Sequence, residues 1–395
     1  MQLLYTLTAY LPAIGGAQMH QHQLAKQLQK RHSIQVISHW DQNRTDWLLG
    51  TTLRAPACDR DYDFEGIPIH RLGLSRAEKL RLAPYVPLYY PLMGVVLPTI
   101  ADTLESHLRS YAQTADLIHN VRIGREGLSY ISHRLARKYE IPFVLTPVHH
   151  PRWVGWRYRA YIDLYQAADA VIVLTEAEKQ ILLELGVREE RLKVTGHGPI
   201  LAAQADPQRF LQKHQLTEPI VLFLGQHYRY KGYREVLQAA PLVWKQVPEA
   251  QFVFIGPPVR QSERDFTAFP DRRIHRLGAV DLQEKTDALA ACTLLCLPSM
   301  QESFGGVYTE AWSFGKPVVG GRIPAIRDVV EEGVDGYLVA QDPAEIADRL
   351  CQLLQNPTQA AAMGAAGRQK VNDRYSWERL AAQTEQVYRD LGVRG

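Results

Sequence analysis

The chain has 395 residues, 46% hydrophobic and 22% charged, with 45 basic against 42 acidic side chains and a formal net charge of +3. This composition excludes a disordered tail or a fibre, and the even charge balance excludes a dedicated nucleic-acid binder, which carries a strongly basic face. Four cysteines in a chain of this length are no disulfide framework.

The first forty residues predict a β-α-β unit. Leu3–Leu7 reads as a strand, Pro12–Gly16 as a turn, Ala17–His32 as a helix and Ile34–Ser38 as a second strand. No basic segment of the kind that opens a signal peptide precedes them. Asp59-Arg60-Asp61-Tyr62-Asp63 contains Asp-x-Asp pairs and reads as a charged, solvated loop before a strand at Ile67–Arg71. The uncharged stretch between Arg81 and Asp102 carries Pro84, Pro87, Pro91 and Pro98, which would break a membrane-spanning helix. It reads as a loop with a basic edge (Arg71, Arg76, Lys79, Arg81), contact with an anionic membrane surface being the other reading.

Strands follow at Leu117–His119, Phe143–Thr146 and Val171–Leu174, with a helix over Arg125–Glu140. Near Thr195-Gly196-His197-Gly198-Pro199 the alternation pauses. It resumes with a strand at Ile220–Leu224, a loop over Gly225–Gly232, a helix over Tyr233–Val247 and strands at Phe252–Ile255, Leu294–Leu297 and Pro317–Val319. Such alternation predicts parallel sheets covered on both faces. The expected organisation is an N-terminal Rossmann-like domain over 1–198, a C-terminal one over 199–375, and a C-terminal helix over 376–395 that can pack back on the first domain. Residues 1–198 hold 23 basic and 19 acidic side chains and residues 199–395 hold 22 and 23, so the surplus of positive charge lies in the first half.

Open α/β sheets bind ligands at the carboxyl ends of their strands. The densest set of candidates there is 298–324. Ser303, Phe304, Gly305 and Gly306 leave a buried strand and enter a helix, so their backbone N–H groups can meet an anion at a positive helix end. Glu302 and Glu310 stand eight positions apart, and a carboxylate can accept paired hydrogen bonds from vicinal hydroxyls.

Glu302-x7-Glu310, set in Pro-Ser-x-x-Glu-Ser-Phe-Gly, closely resembles the E-x7-E motif of the family-4 retaining glycosyltransferases (glycosyl transferases group 1). The resemblance continues through Gly315-Lys316-Pro317, Ile323-Pro324 and Glu332-Gly333-Val334-Asp335-Gly336, and includes Gly15-Gly16-Ala17-Gln18. It implies a GT-B fold, two Rossmann-like doubly wound domains facing each other across a cleft. The donor would be a UDP- or GDP-sugar held by the C-terminal domain. The acceptor would be a lipid, glycan or small-molecule hydroxyl. By the same resemblance Glu310 holds the nucleotide ribose, Glu302 lies against the donor sugar and Lys231 neutralises the diphosphate. Gly15 and Gly16 close over the phosphates, and one of His149 and His150 faces the donor sugar.

Gln226 stands where the family usually has arginine, with Arg229 in the same loop as a substitute. No cofactor and no metal are expected, and no nucleic acid. A cytoplasmic enzyme is expected, with peripheral membrane contact left open. The rival readings are a non-catalytic nucleotide-binding scaffold and a two-carboxylate glycosidase. A dinucleotide oxidoreductase is disfavoured, because no Gly-x-Gly-x-x-Gly follows the first strand of either half.

Overall fold

Two sheets organise the chain in the computed structural model, which describes residues 1–13, 15–40, 47–121, 127–150 and 153–393. One unit comprises Met1–Gly196 with Trp377–Gly395, the other His197–Ser376. The first sheet contains β1 (Gln2–Ala9), β2 (Ser33–Trp40), β3 (Arg60–Phe64), β4 (Ile67–Arg71), β5 (Leu117–Val121), β6 (Phe143–Thr146), β7 (Ala170–Val173) and β8 (Leu192–Val194). Their order is β3-β4-β2-β1-β5-β6-β7-β8. All pairs are parallel except β3 with β4.

Alternate residues of these strands supply two cores. Leu4, Ile118, Leu145 and Val171 face one way, with the helices Met93–Thr114 and Gly127–Lys138. Leu3, Tyr5, Leu117, Val144 and Ile172 face the other, with helix Gly16–Leu28. The second core is completed by helix Trp377–Asp390 through Leu380, Ala381, Val387 and Tyr388. Tyr388 also anchors this helix by polar contacts. Its hydroxyl lies 2.6 Å from His119 Nδ1 and 3.1 Å from Tyr5 Oη, while His119 Nε2 lies 2.8 Å from Thr146 Oγ1. Burial lowers His119 to about 3, so the imidazole is neutral.

The second sheet, with strands β9 (Ile220–Leu224), β10 (Gln251–Ile255), β11 (Ile274–Gly278), β12 (Leu294–Leu297), β13 (Val318–Gly321) and β14 (Gly336–Val339), is parallel throughout. Its order β11-β10-β9-β12-β13-β14 reverses direction between β9 and β12. In open α/β sheets ligands bind outside the carboxyl ends of the strands at such a reversal.

The structure corrects three readings. Arg60–Phe64, expected as a loop, is an antiparallel edge strand. The proline-rich stretch was expected to exclude a long helix, yet Met93–Thr114 is a 22-residue helix with Pro98 inside it. Pro84, Pro87 and Pro91 all lie before it, and the N–H missing at Pro98 would have bonded to Gly94, a half-open position near the helix start. Strands β8, β11 and β14 were not foreseen. Among the described residues no helix is long and apolar enough to cross a membrane. The expected helix start at Arg125 lies outside the described residues.

Leu380 is fully buried and Gln383 exposed on the C-terminal helix. Leu380→Ala is therefore expected to lower the unfolding free energy by about 2–5 kcal/mol. Gln383→Ala should change it by less than about 0.5 kcal/mol. Urea titration of both variants checks this; equal stabilities would remove this helix from the core.

Candidate active site

In the second unit the two loops flanking the β9/β12 reversal are fastened together by backbone. The Tyr230 carbonyl accepts from Met300 N at 2.8 Å and from Gln341 Nε2 at 2.8 Å. Gly232 follows in the left-handed region at φ 82°, and a Cβ there would lie 2.8 Å from the Pro298 carbonyl oxygen. Only glycine lets the turn Arg229–Lys231 approach this closely. The approach brings Lys231 Nζ within 2.5 Å of Glu302 Oε1, and both side chains are largely shielded from water.

Beyond Glu302 the chain enters helix Gly306–Ser313 through Gly305, at φ 83°. A Cβ on Gly305 would lie 2.4 Å from the Tyr308 ring. Tyr308 is itself fixed by a 2.7 Å hydrogen bond to the Leu297 carbonyl. The first turn of the helix is thereby tied to the end of β12, with its positive end on the Glu302 side. Phe304 is buried and stacks on His197, ring centroids 5.8 Å apart.

Glu310 lies one turn into that helix and is buried. Its Oε1 accepts from Lys285 Nζ at 2.7 Å, whereas its Oε2 is buried without a hydrogen-bond partner among the described residues. Leaving such an oxygen unpaired costs about 1–3 kcal/mol, and a functional ligand is one reason a fold tolerates it. Burial pushes the Glu310 carboxyl up, and the Lys285 ammonium opposes that shift. Lys285 was not singled out from sequence. It sits on helix Leu282–Ala291, and nothing local in its surroundings signals a carboxylate partner 25 positions on.

Gln226 and Arg229 are exposed in the β9 loop, and Arg229 forms no ion pair with a described residue. The structure thus gathers Lys231, Glu302, Ser303–Gly306 and Glu310 at one end of the second sheet, with Gln226 and Arg229 at its margin. The remaining candidates belong to the first unit. Gly15 caps helix Gly16–Leu28 in extended backbone above the Gln18 side chain, and Gly16 faces open space. His149 is buried at the exit of β6, with Nδ1 3.3 Å from Tyr165 Oη. His150 is half-buried and tilted against Trp153.

The His149 backbone is held by a residue that sequence reasoning missed. Glu178 Oε1 accepts from His149 N at 2.6 Å and its Oε2 from Leu174 N at 2.8 Å. Burial raises Glu178 to about 7. The Asp-x-Asp carboxylates are engaged otherwise. Asp59 Oδ1 accepts from Gly73 N at 2.7 Å, Asp61 Oδ1 lies 2.7 Å from His70 Nδ1, and Asp63 Oδ1 accepts from Gly66 N at 2.8 Å. Among the described residues no group of three or more His, Cys, Asp and Glu side chains could hold a metal ion.

Residues 218–356 match the family model described as glycosyl transferases group 1, and residues 15–198 match that of the glycosyl transferase 4-like domain. Over 178 residues the chain is 35% identical to a phosphatidyl-myo-inositol mannosyltransferase of Mycobacterium leprae, covering 44% of this chain and 47% of that protein. Over 248 residues it is 30% identical to a D-inositol 3-phosphate glycosyltransferase of Corynebacterium urealyticum, covering 57% of each. The chain thus spans about half the length of the curated relatives it matches. The crystal structure of Anabaena HepE in complex with UDP is similar across 99% of this chain and 100% of that one, with TM-score 0.75 and 19% identity. That likeness gives both sheets the GT-B fold.

Glu178 makes the stability of the fold depend on pH. Its carboxyl sits near 7 in the fold against an ordinary value of 4.5, so the folded state binds more protons between those values. Stability from this group is full below about pH 4.5 and is lost as pH rises through about 7, by about 3 kcal/mol in all. Glu178→Gln should therefore gain on the wild type by about that amount between pH 4.5 and 8, in denaturant titrations. A constant difference across the range would contradict a buried, proton-binding Glu178.

Proposed function

This chain belongs to the group 1 glycosyltransferases, and we propose that it moves a sugar from a UDP- or GDP-sugar to a hydroxyl acceptor with retained anomeric configuration. The carrying observation is the grouping of Lys231, Glu302, the amino end of helix Gly306–Ser313 and Glu310 at the β9/β12 reversal. An ammonium and a helix end suit a diphosphate. A buried carboxylate oxygen without a partner suits the vicinal hydroxyls of a ribose.

In the transition state the sugar carries oxocarbenium charge and the departing diphosphate gathers negative charge. Lys231 is the cation positioned for that diphosphate, with the first-turn amides of the helix as fixed donors; such preorganised charge is commonly the largest catalytic contribution. Before donor binds, Lys231 is neutralised by Glu302. Donor phosphates then replace a carboxylate at the same ammonium, and Glu302 is released toward the sugar. The acceptor attacks the face the diphosphate leaves, and a phosphate oxygen takes its proton. This reaction needs no metal. Each carboxylate is held by its own lysine, Glu302 by Lys231 and Glu310 by Lys285, an arrangement that does not make them the acid and nucleophile of a glycosidase.

The acceptor is read more coarsely. The relatives named above are named for inositol-containing acceptors, and the HepE structures hold UDP, glucose and UDP-glucose. A polyol or sugar hydroxyl is accordingly the acceptor class proposed here.

Lys231→Ala and Glu310→Ala should each lower kcat/KM by at least tenfold, about 1.4 kcal/mol of transition-state stabilisation. The assay is release of UDP or GDP from its sugar when acceptor is added. Near-wild-type turnover in both variants would overturn the site. Activity should also survive EDTA; full loss restored by manganese or magnesium would overturn the metal-free mechanism.

A further inference from the structure

Glu310 is held from two directions. Helix Leu282–Ala291 starts at Asp281, whose side chain accepts from Glu284 N at 2.8 Å, so that Lys285 falls one turn in. Its ammonium donates to Glu310 Oε1 and to the Ile200 carbonyl, each at 2.7 Å. The Ile200 backbone also favours the ionised Glu310 carboxyl against the effect of burial. The next two residues of the helix fasten the same entering segment: Thr286 Oγ1 accepts from Ala202 N at 2.9 Å and Asp287 Oδ1 from Asp206 N at 2.8 Å. Three successive side chains thus clamp residues 200–206, and the first of them also meets Glu310.

We propose that Lys285 is a positioning residue for nucleotide binding, keeping Glu310 a carboxylate with one oxygen neutralised and the other presented to two vicinal hydroxyls. This rests on the reading of Glu310 as the ribose-binding carboxylate. A protonated carboxyl in its place would keep fewer acceptor sites and carry a donor of its own, and so could not serve two hydroxyl donors equally. Burial drives Glu310 toward that protonated form, and Lys285 is the charge that acts against it. The other charges around helix Gly306–Ser313 are otherwise placed. Lys370 pairs with Asp335, Lys231 pairs with Glu302, and His197 lies over Gly306, where a Cβ would be 3.1 Å from its ring. Tyr308 on the same helix is directed at the Leu297 carbonyl.

The test is calorimetric titration of the full chain with UDP and GDP, each beside its 2′,3′-dideoxy analogue, from pH 7 to 9. The ratio of the two affinities isolates the hydroxyl contact, because titration of the phosphates is common to both ligands. Wild type should prefer the ribonucleotide at least tenfold at every pH. Lys285→Met should prefer it less than threefold at pH 7, and the preference should rise with pH, because burial pushes the Glu310 carboxyl up and the opposing ammonium is gone. Lys285→Arg should keep most of the preference. Lys285→Gln, which can still bond to the Ile200 carbonyl, provides the same charge-removing test if the methionine variant does not fold. Glu310→Gln should lack the preference throughout.

A wild-type ratio in Lys285→Met or Lys285→Gln at pH 7 would overturn the proposal. So would equal weakening of both ligands with no pH dependence, the mark of a merely structural lysine. Failure of wild type to bind either nucleotide, or to prefer the ribose form, would instead overturn the reading of Glu310 beneath it.

Discussion

The site depends on one backbone carbonyl. Tyr230 O, in the loop after β9, accepts from the amide that follows the exit of β12 and from the side chain of Gln341. Two loops about seventy residues apart in sequence are joined there, and the lysine of one reaches the glutamate of the other. A single net hydrogen bond contributes only about 1 kcal/mol. Its consequence here is larger, because the left-handed Gly232 packed on Pro298 leaves no room for a different path.

That junction lies at the reversal of strand order, and the topology explains why. A doubly wound sheet has one place where consecutive loops diverge instead of covering each other. In the second unit this place lies between β9 and β12, the two strands whose exits carry Lys231 and Glu302. Glu310 is set deeper, buried and with a lysine on one oxygen. The near-neutral charge of this half fits such a site. The anion site proposed there draws on one lysine, a helix end and a local pairing, and needs no basic surface.

Much of this was legible in the amino-acid order. The β12 run Leu294–Leu297 is apolar and ends at Pro298-Ser299, so the strand, the glycines after it and the helix beyond declare themselves. β9 and the Gly225–Gly232 loop are equally plain. Edge strands are not. Ile274–Gly278 is partly exposed along its length and carries His275 and Arg276 side by side, and Arg60–Phe64 carries three charges. Both lack the buried run that marks a central parallel strand. Met93–Thr114 was obscured by prolines that prove to precede the helix or to fall near its start. Lys285 and Glu178 were invisible for another reason: each matters through a partner brought near by tertiary packing, and the sequence around it reads as an ordinary amphipathic helix.

The central claim is that one end of the second sheet holds a nucleoside diphosphate, with phosphates on Lys231 and the helix end and ribose on Glu310. A crystal structure of the chain with bound UDP or GDP tests it most directly. A phosphate oxygen is expected within hydrogen-bond distance of Lys231 Nζ, which has left Glu302, and a ribose hydroxyl on Glu310 Oε2. A nucleotide bound elsewhere, with the Lys231–Glu302 pair intact and Glu310 Oε2 untouched, would contradict it.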